Sequence, residues 1–184
     1  MNFNIFIGYD AKEDIAYRVC KYSLLKRASG NVKVTSLKLD ELISKNLYTR
    51  TIDPLASTQF TYSRFLVPKL MNYEGWAVFC DCDFIFLDDV NKLTNGLDNS
   101  KAAYCVQHDY TPKEKHKMDG QKQTIYPRKN WSSFILYNCS HPSVIKNLTV
   151  ENVNKESGAY LHQFKWCEDN EIGSLDERWN WLEG

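Results

Sequence analysis

An apolar run interrupted by two aspartates lies near the middle of the chain, at residues 76–87. It reads Trp-Ala-Val-Phe-Cys-Asp-Cys-Asp-Phe-Ile-Phe-Leu, and a largely continuous apolar run of this length predicts a buried strand. Side chains alternate along an extended chain, so we expect Asp81 and Asp83 to share one face and Cys80 and Cys82 to share the other. The carboxyl end of such a strand lies at the edge of the sheet where open α/β folds bind their ligands.

Other segments predict the remaining strands and helices of an α/β domain. Strands are expected at residues 3–7, 32–39, 102–106 and 131–138. Helices are expected from 59 to 71, where Pro68 would bend or divide the helix, and from 143 to 154 and 155 to 166. The residues after Asp10 also predict a helix, because one stripe at helical spacing collects Ile15, Ala16, Val19, Cys20, Ser23 and Leu24.

Some polar positions have more than one interpretation. Asp10 follows the first strand and is either a helix cap or a ligand contact. The pair Asp88-Asp89 is expected to cap a brief helix through Leu93 rather than to bind a metal. Residues 108–129 are polar and rich in lysine, so they form either a functional lid or a solvated, mobile loop.

Composition limits the class of protein. The chain has 184 residues, of which 43% are hydrophobic and 14% aromatic, so we expect one domain with a substantial core. The 23 basic and 23 acidic residues balance, so no global field favours a nucleic acid or an anionic membrane as a partner. No apolar run approaches the roughly 18 residues of a transmembrane segment, and no basic segment precedes the first apolar residues as in a signal peptide. Six scattered cysteines therefore predict the reduced thiols of a cytoplasmic protein.

The two aspartates at the end of the central strand are the candidate chemistry. Aspartate is rarely buried unless it is paired or coordinates a metal. Two converging carboxylates suit a hard divalent cation that also holds phosphate oxygens. The alternative is an ordinary acidic turn after a strand, and the flanking apolar runs favour the metal site over that turn.

With these segments in place, the chain resembles the nucleotide-sugar glycosyltransferases of the GT-A fold, and it is most similar to the family 8 type. Five segments carry the resemblance in the same order as in the family. They are Ile-Phe-Ile-Gly-Tyr-Asp at 5–10 with Tyr-Ser-Leu-Leu at 22–25, the helical stretch at 61–70, the D-x-D strand at 79–83, Asn-Trp-Ser-Ser through Tyr-Asn at 130–138, and His-Gln at 162–163.

The resemblance implies a single GT-A domain over residues 1–184, with a mixed, mostly parallel sheet flanked by helices. It implies transfer of a hexose from a nucleoside diphosphate sugar, most simply a UDP-sugar, to an unidentified hydroxyl acceptor, with retention at the anomeric carbon. The cofactor would be Mn²⁺ or Mg²⁺, held by Asp81 and Asp83 and acting as a Lewis acid on the departing diphosphate.

The resemblance also assigns further roles to individual residues. The nucleotide would be contacted by Gly8, Tyr9, Asp10, Arg64, Asp81 and Cys82. The sugar would be faced by Ser132, Ser133, His162 and Gln163. Gln163 and Asp83 would be the catalytic residues. Because glutamine is a poor nucleophile, we favour a same-face transfer without a covalent enzyme intermediate.

Two departures from the family pattern leave alternatives open. His162 stands where the family has an aspartate, and no histidine in a His-x-x-Gly context follows it as a third metal ligand. We therefore expect that the domain lacks its C-terminal segment, in keeping with the abrupt end after Trp179-Asn180-Trp181. A non-catalytic nucleotide-sugar-binding module is the main alternative. A D-x-D phosphatase is less favoured, because its motif requires Gly-Thr where this chain has Phe84-Ile85.

Overall fold

The computed structural model describes residues 3–51, 58–108 and 127–182, which form a six-stranded sheet flanked by helices. The strands follow the order β2-β1-β3-β5-β4-β6 across the sheet. Strand β5 is antiparallel to β3 and β4 and the other pairs are parallel, so five of the six strands run in one direction. The predicted α/β class and mixed, mostly parallel sheet are confirmed. The strands are β1 Phe3–Gly8, β2 Val32–Leu37, β3 Trp76–Cys80, β4 Ala103–Cys105, β5 Phe134–Asn138 and β6 Ile172–Ser174.

The helices of the described residues are mostly short. They are α1 Asp14–Arg27, α2 Leu39–Ser44, α3 Val67–Leu70, α4 Pro142–Asn147, α5 Val150–Lys155 and α6 Gly158–His162. Single 3-10 turns lie at Ala11–Glu13, Ser63–Leu66, Val90–Thr94, Trp131–Ser133, Asp169–Glu171 and Glu177–Asn180. None of these helices is long and apolar enough to cross a membrane. All six cysteines are free thiols.

The helical predictions need correction at their boundaries. The two long helices expected from 143 to 166 are three short ones, because Thr149 and Ser157 each cap a new helix by accepting a backbone hydrogen bond. The helix expected from 59 begins only with the 3-10 turn at Ser63–Leu66, and α3 follows it. Pro68 lies in the first turn of α3, where its missing N–H costs nothing, so the predicted division there is confirmed.

The core is centred on β3 and β5. Residues 77–80 and the whole of β5 are buried, as the apolar run predicts. The strand ends at Cys80. The backbone N–H of Asp81 still donates to the carbonyl of Ser133 at 2.9 Å, and the chain then turns at Cys82 and Asp83. The two aspartates therefore follow the end of the strand, as expected, but the alternation of faces expected for residues 80–83 does not hold, because Cys82 and Asp83 lie in a turn.

The predicted apolar stripe of α1 is only partly buried. Cys20 and Leu24 pack into the core with Ser23, but Ile15 and Val19 are exposed. The physical reason is that α1 buries only a narrow face, made of Cys20, Ser23 and Leu24. Within that face the Ser23 hydroxyl accepts a hydrogen bond from the Phe86 N–H.

The strand directions place several connections at one edge of the sheet. The carboxyl ends of β1, β3, β4 and β6 lie there, together with the amino end of the antiparallel β5. This edge therefore collects the turns after β1 and β3 and the 3-10 turns at Trp131–Ser133 and Glu177–Asn180. Strand β6 was not predicted from the sequence.

Candidate functional site

The D-x-D turn follows β3 at this edge. Asp83 is exposed, whereas the side chain of Asp81 is 23% exposed and that of Cys82 is buried. The Cys82 thiol donates a hydrogen bond to Oε2 of Glu13 at 2.9 Å, which ties the D-x-D turn to the 3-10 turn after β1. Cys82 therefore directs its side chain at Glu13, so any contact with a nucleotide falls to its backbone.

Arg64 holds Asp81 from the other side. Arg64 is only 6% exposed, and its Nη1 lies 2.8 Å from Oδ1 of Asp81. Its Nε donates to the carbonyls of Phe60 and Thr61 at 3.2 and 3.1 Å, and its Nη1 donates to the carbonyl of Ser132 at 2.8 Å. The guanidinium is thus fixed on Asp81, a partner that the sequence reasoning did not assign to it.

The turn is crowded with negative charge. Burial, with the neighbouring charges of Asp83 and Glu13, raises the pKa of Asp81 to about 7, although Arg64 opposes the shift. Three carboxylates therefore share the field of one guanidinium, an arrangement that a divalent cation would relieve.

The carboxylates of the turn suit a hard divalent cation that also binds phosphate oxygens. Within the described ranges, no three side chains of ligating type come together as a ready metal centre. Mg²⁺ is commonly bound through one or two carboxylates plus substrate phosphates, rather than by a cage of protein ligands. Asp81 and Asp83 fit such a hard cation, shared with phosphate oxygens.

The turn after β1 is built by close packing. A Cβ at Gly8 would lie 2.5 Å from the ring of Phe60, so only glycine allows this approach. Asp10 is buried and accepts hydrogen bonds from the N–H groups of Lys12 and Gln59, so its interpretation as a cap is confirmed. Tyr9 donates to Oδ1 of Asp14 at 3.1 Å. Ligand contacts by Gly8, Tyr9 and Asp10 stay predictions.

The expected sugar-facing residues come together in part. Oγ of Ser132 lies 2.7 Å from Nδ1 of His162, whose ring packs edge-on against Phe65. Burial, together with the charges of Arg64 and Arg50, lowers the pKa of His162 to about 3.

Ser133 and Gln163 directly follow Ser132 and His162 in the sequence. Gln163 follows the last residue of α6, and its carbonyl accepts a hydrogen bond from Arg128 at 2.8 Å. Ser133 donates to the carbonyl of Asn130 at 2.7 Å. Its hydroxyl is therefore engaged within its own turn. Most of the lid or loop expected at 108–129 lies outside the described residues.

Two residues at the site were missed by the sequence reasoning. One is Glu13, the partner of Cys82. The other is Asn180, which is buried and whose Nδ2 donates to Oγ of Ser133 at 2.9 Å and to the carbonyl of Asn130 at 3.3 Å. These contacts join residues 69 and 47 positions apart, so no local spacing signals them.

The fold is similar to that of solved glycosyltransferases. The bifunctional glycosyltransferase WbbM aligns with 96% of this chain at 13% identity and a TM-score of 0.64. The glycosyltransferase GlyE of Streptococcus pneumoniae aligns with 96% at 13% identity and a TM-score of 0.58. The galactosyltransferase LgtC, solved with donor and acceptor sugar analogues, aligns with 95% at 12% identity and a TM-score of 0.52. The chain spans 39% of WbbM, 46% of GlyE and 74% of LgtC. At these identities the likeness concerns the fold, which is the predicted GT-A fold.

One curated relative is much more similar in sequence. No family model matches the chain. Protein CDI of Arabidopsis thaliana is 55% identical over 182 residues, which cover 99% of this chain and 70% of that protein. The chain therefore belongs to the family of Protein CDI and has the α/β fold of the GT-A glycosyltransferases.

Proposed function

We propose that the protein is a metal-dependent glycosyltransferase that moves a hexose from a UDP-sugar to a hydroxyl acceptor. The observation that carries this proposal is the D-x-D turn at the carboxyl end of β3, with Arg64 2.8 Å from Asp81 and the turn after β1 beside it. An edge of an α/β sheet that presents two carboxylates and a buried guanidinium is suited to a nucleoside diphosphate with its cation. The fold is consistent with this chemistry.

In this proposal Asp83 and Asp81 hold Mn²⁺ or Mg²⁺ together with the donor diphosphate. The cation would supply Lewis acidity to the leaving diphosphate. Arg64 keeps the Asp81 carboxylate in one orientation, because its own position is fixed by three backbone carbonyls. Glu13 orients the turn through Cys82. The end of β1, with Tyr9 and Asp10, is the neighbouring surface on which the uridine would lie.

The hexose would lie toward β5, near Ser132, Ser133, His162 and Gln163. The proposal includes retention at the anomeric carbon, which is the outcome that the family 8 resemblance implies, and the anomeric configuration of the product tests it. It also includes a cytoplasmic location, which agrees with six free thiols.

The direct test is release of UDP from a panel of UDP-sugars, with Mn²⁺ and with chelator, by the parent chain and by Asp83→Asn. The proposal expects metal-dependent release from at least one donor and none by the variant. Release that is unaffected by chelator would contradict the metal role. Inorganic phosphate released from simple phosphate esters would instead assign the D-x-D turn to a phosphatase.

A non-catalytic nucleotide-sugar-binding module is the second candidate. The observation that favours it is the 2.7 Å contact between Ser132 and His162, because these two side chains satisfy each other rather than a sugar. Binding of UDP with Mn²⁺, but no release of UDP from any donor, would select this candidate.

A further inference from the structure

Helix α1 and the segment after the D-x-D turn expose a concentration of large apolar side chains. Of nine such exposed side chains among the described residues, six lie on these two elements. Four are on α1 and two are on the segment, so they form a concentration rather than the single, scattered apolar residues that are normal on a protein surface. They are Ile15 at 77%, Val19 at 45%, Tyr22 at 65%, Leu25 at 46%, Ile85 at 62% and Leu87 at 79% exposed.

The two elements lie side by side and form one surface, which we call the α1 face. The Phe86 N–H donates to the Ser23 hydroxyl of α1 at 2.9 Å. Beyond the end of α1, the Ser29 N–H donates to Asp89 at 3.2 Å. Phe86 is buried while its neighbours on both sides are exposed, so Ile85 and Leu87 face away from the core.

The α1 face is also positively charged. Helix α1 carries four basic residues, Arg18, Lys21, Lys26 and Arg27, against one acidic residue, Asp14. The segment adds Asp88 and Asp89, so the two elements together hold four basic and three acidic residues. Asp14 accepts a hydrogen bond from Tyr9. Among the described residues, no acidic side chain forms an ion pair with Arg18 or Lys21.

The acidic residues on the neighbouring segment are occupied internally. Asp88 pairs with Lys92 at 2.8 Å, and Asp89 accepts hydrogen bonds from Asn91 and Ser29. They are therefore poorly placed to neutralise a cationic surface that approaches from outside. A second copy related by two-fold symmetry would bring the basic α1 helices against each other, which is unfavourable.

Exposed apolar side chains interspersed with arginine and lysine are typical of helices that bind in the plane of an anionic membrane surface. We propose that the α1 face docks this protein on an anionic lipid surface. Ile15, Tyr22 and Leu87 enter the boundary between headgroups and acyl chains, while Arg18 and Lys26 contact the lipid phosphates. This binding is peripheral, and it is independent of the proposed function.

The test is co-flotation of the purified chain with vesicles of phosphatidylcholine alone and of phosphatidylcholine mixed equally with phosphatidylserine. We expect binding to the mixed vesicles and much weaker binding to the neutral ones. Each basic residue near an anionic leaflet contributes about fivefold (about 1 kcal/mol), so Arg18→Ala with Lys26→Ala should weaken binding about 25-fold. Ile15→Ser with Leu87→Ser should also weaken binding, because it removes two apolar side chains that enter the lipid. Both side chains are mostly exposed, so their loss leaves the core intact.

The matched control is Ile145→Ser with Lys146→Ala on α4, an exposed apolar and basic pair outside the α1 face. This variant should bind as the parent does, and thermal unfolding of every variant checks that the fold is kept. No binding of the parent to either vesicle would overturn the proposal, as would equal losses in the control. A parent that is dimeric by light scattering and becomes monomeric in the α1 variants, without vesicle binding, would assign the face to a second copy instead.

Discussion

The buried pair of Arg64 and Asp81 leads to an asymmetric prediction for stability. Arg64→Met removes the guanidinium from Asp81 and from three backbone carbonyls, of Phe60, Thr61 and Ser132. Breaking a buried pair by deleting one partner costs about 3–5 kcal/mol, because the remaining groups stay buried without their partner. We therefore expect Arg64→Met to lose about 3–5 kcal/mol of unfolding free energy.

The reciprocal change should cost far less. Burial raises the pKa of Asp81 to about 7, so the fold does not favour its charged form. Arg64 keeps its three carbonyl acceptors and the faces of Phe60 and Phe79 when the Asp81 charge is lost. Asp81→Asn should therefore cost about 1 kcal/mol or less, the typical value of one net hydrogen bond.

The assay is urea unfolding followed by circular dichroism, at neutral pH and without metal. Lys146→Met is the control, since removing an exposed charge should change stability by no more than about 0.5 kcal/mol. Equal losses for Arg64→Met and Asp81→Asn would refute the argument, because the arginine would then be held by Asp81 alone. A loss below about 1 kcal/mol for Arg64→Met would show that its carbonyl contacts contribute little.

Three further predictions concern neighbouring positions. Gly8→Ala should cost about 1–3 kcal/mol in urea unfolding, because the new Cβ meets the Phe60 ring, and Phe60→Leu in the same chain should recover part of the loss. His162 has a native pKa of about 3 against 6.5 when unfolded, so protonation favours unfolding. Asp81, whose native pKa of about 7 lies above its unfolded value, stabilises the fold as the pH falls, so the histidine is isolated by comparing two proteins. From about pH 7 to pH 5 the parent should lose about 2 kcal/mol of unfolding free energy relative to His162→Gln, and parallel pH profiles for the two would contradict this. Glu13→Gln should weaken Mn²⁺ binding in the presence of UDP about tenfold, measured by electron paramagnetic resonance. Cys82→Ala, which breaks the same hydrogen bond, should also weaken Mn²⁺ binding, to the extent that Glu13 acts by orienting the turn. Parental Mn²⁺ affinity in both variants would exclude a role of Glu13 in metal binding.

The sequence predicted the central strands well because their signal is local. Residues 76–80 and 134–138 are almost wholly apolar, and a run of that kind has few places to fold except the middle of a sheet. The two helices expected at 143–154 and 155–166 were misjudged because apolar spacing continues across two capping residues, Thr149 and Ser157, each of which begins a new helix.

Other features could not have been read from local patterns. Strand β6 has three residues, one of them Gly173, where a Cβ would lie 2.2 Å from the ring of Tyr104. Its position is set by packing against β4, not by β propensity. The site shows the same limit. The aspartates were found from their place after a strand, while Glu13 and Asn180 reach the site through contacts between distant parts of the chain.

Calorimetric titration of UDP, with and without Mn²⁺, tests the central claim most directly, using the parent chain, Asp83→Asn and Asp88→Asn. Asp88 is an exposed aspartate paired with Lys92 and serves as the matched control. The D-x-D site predicts that UDP binds the parent and Asp88→Asn only when Mn²⁺ is present, and that Asp83→Asn loses this binding. Binding of UDP by Asp83→Asn as tight as by the parent, or binding that is the same without Mn²⁺, would contradict it.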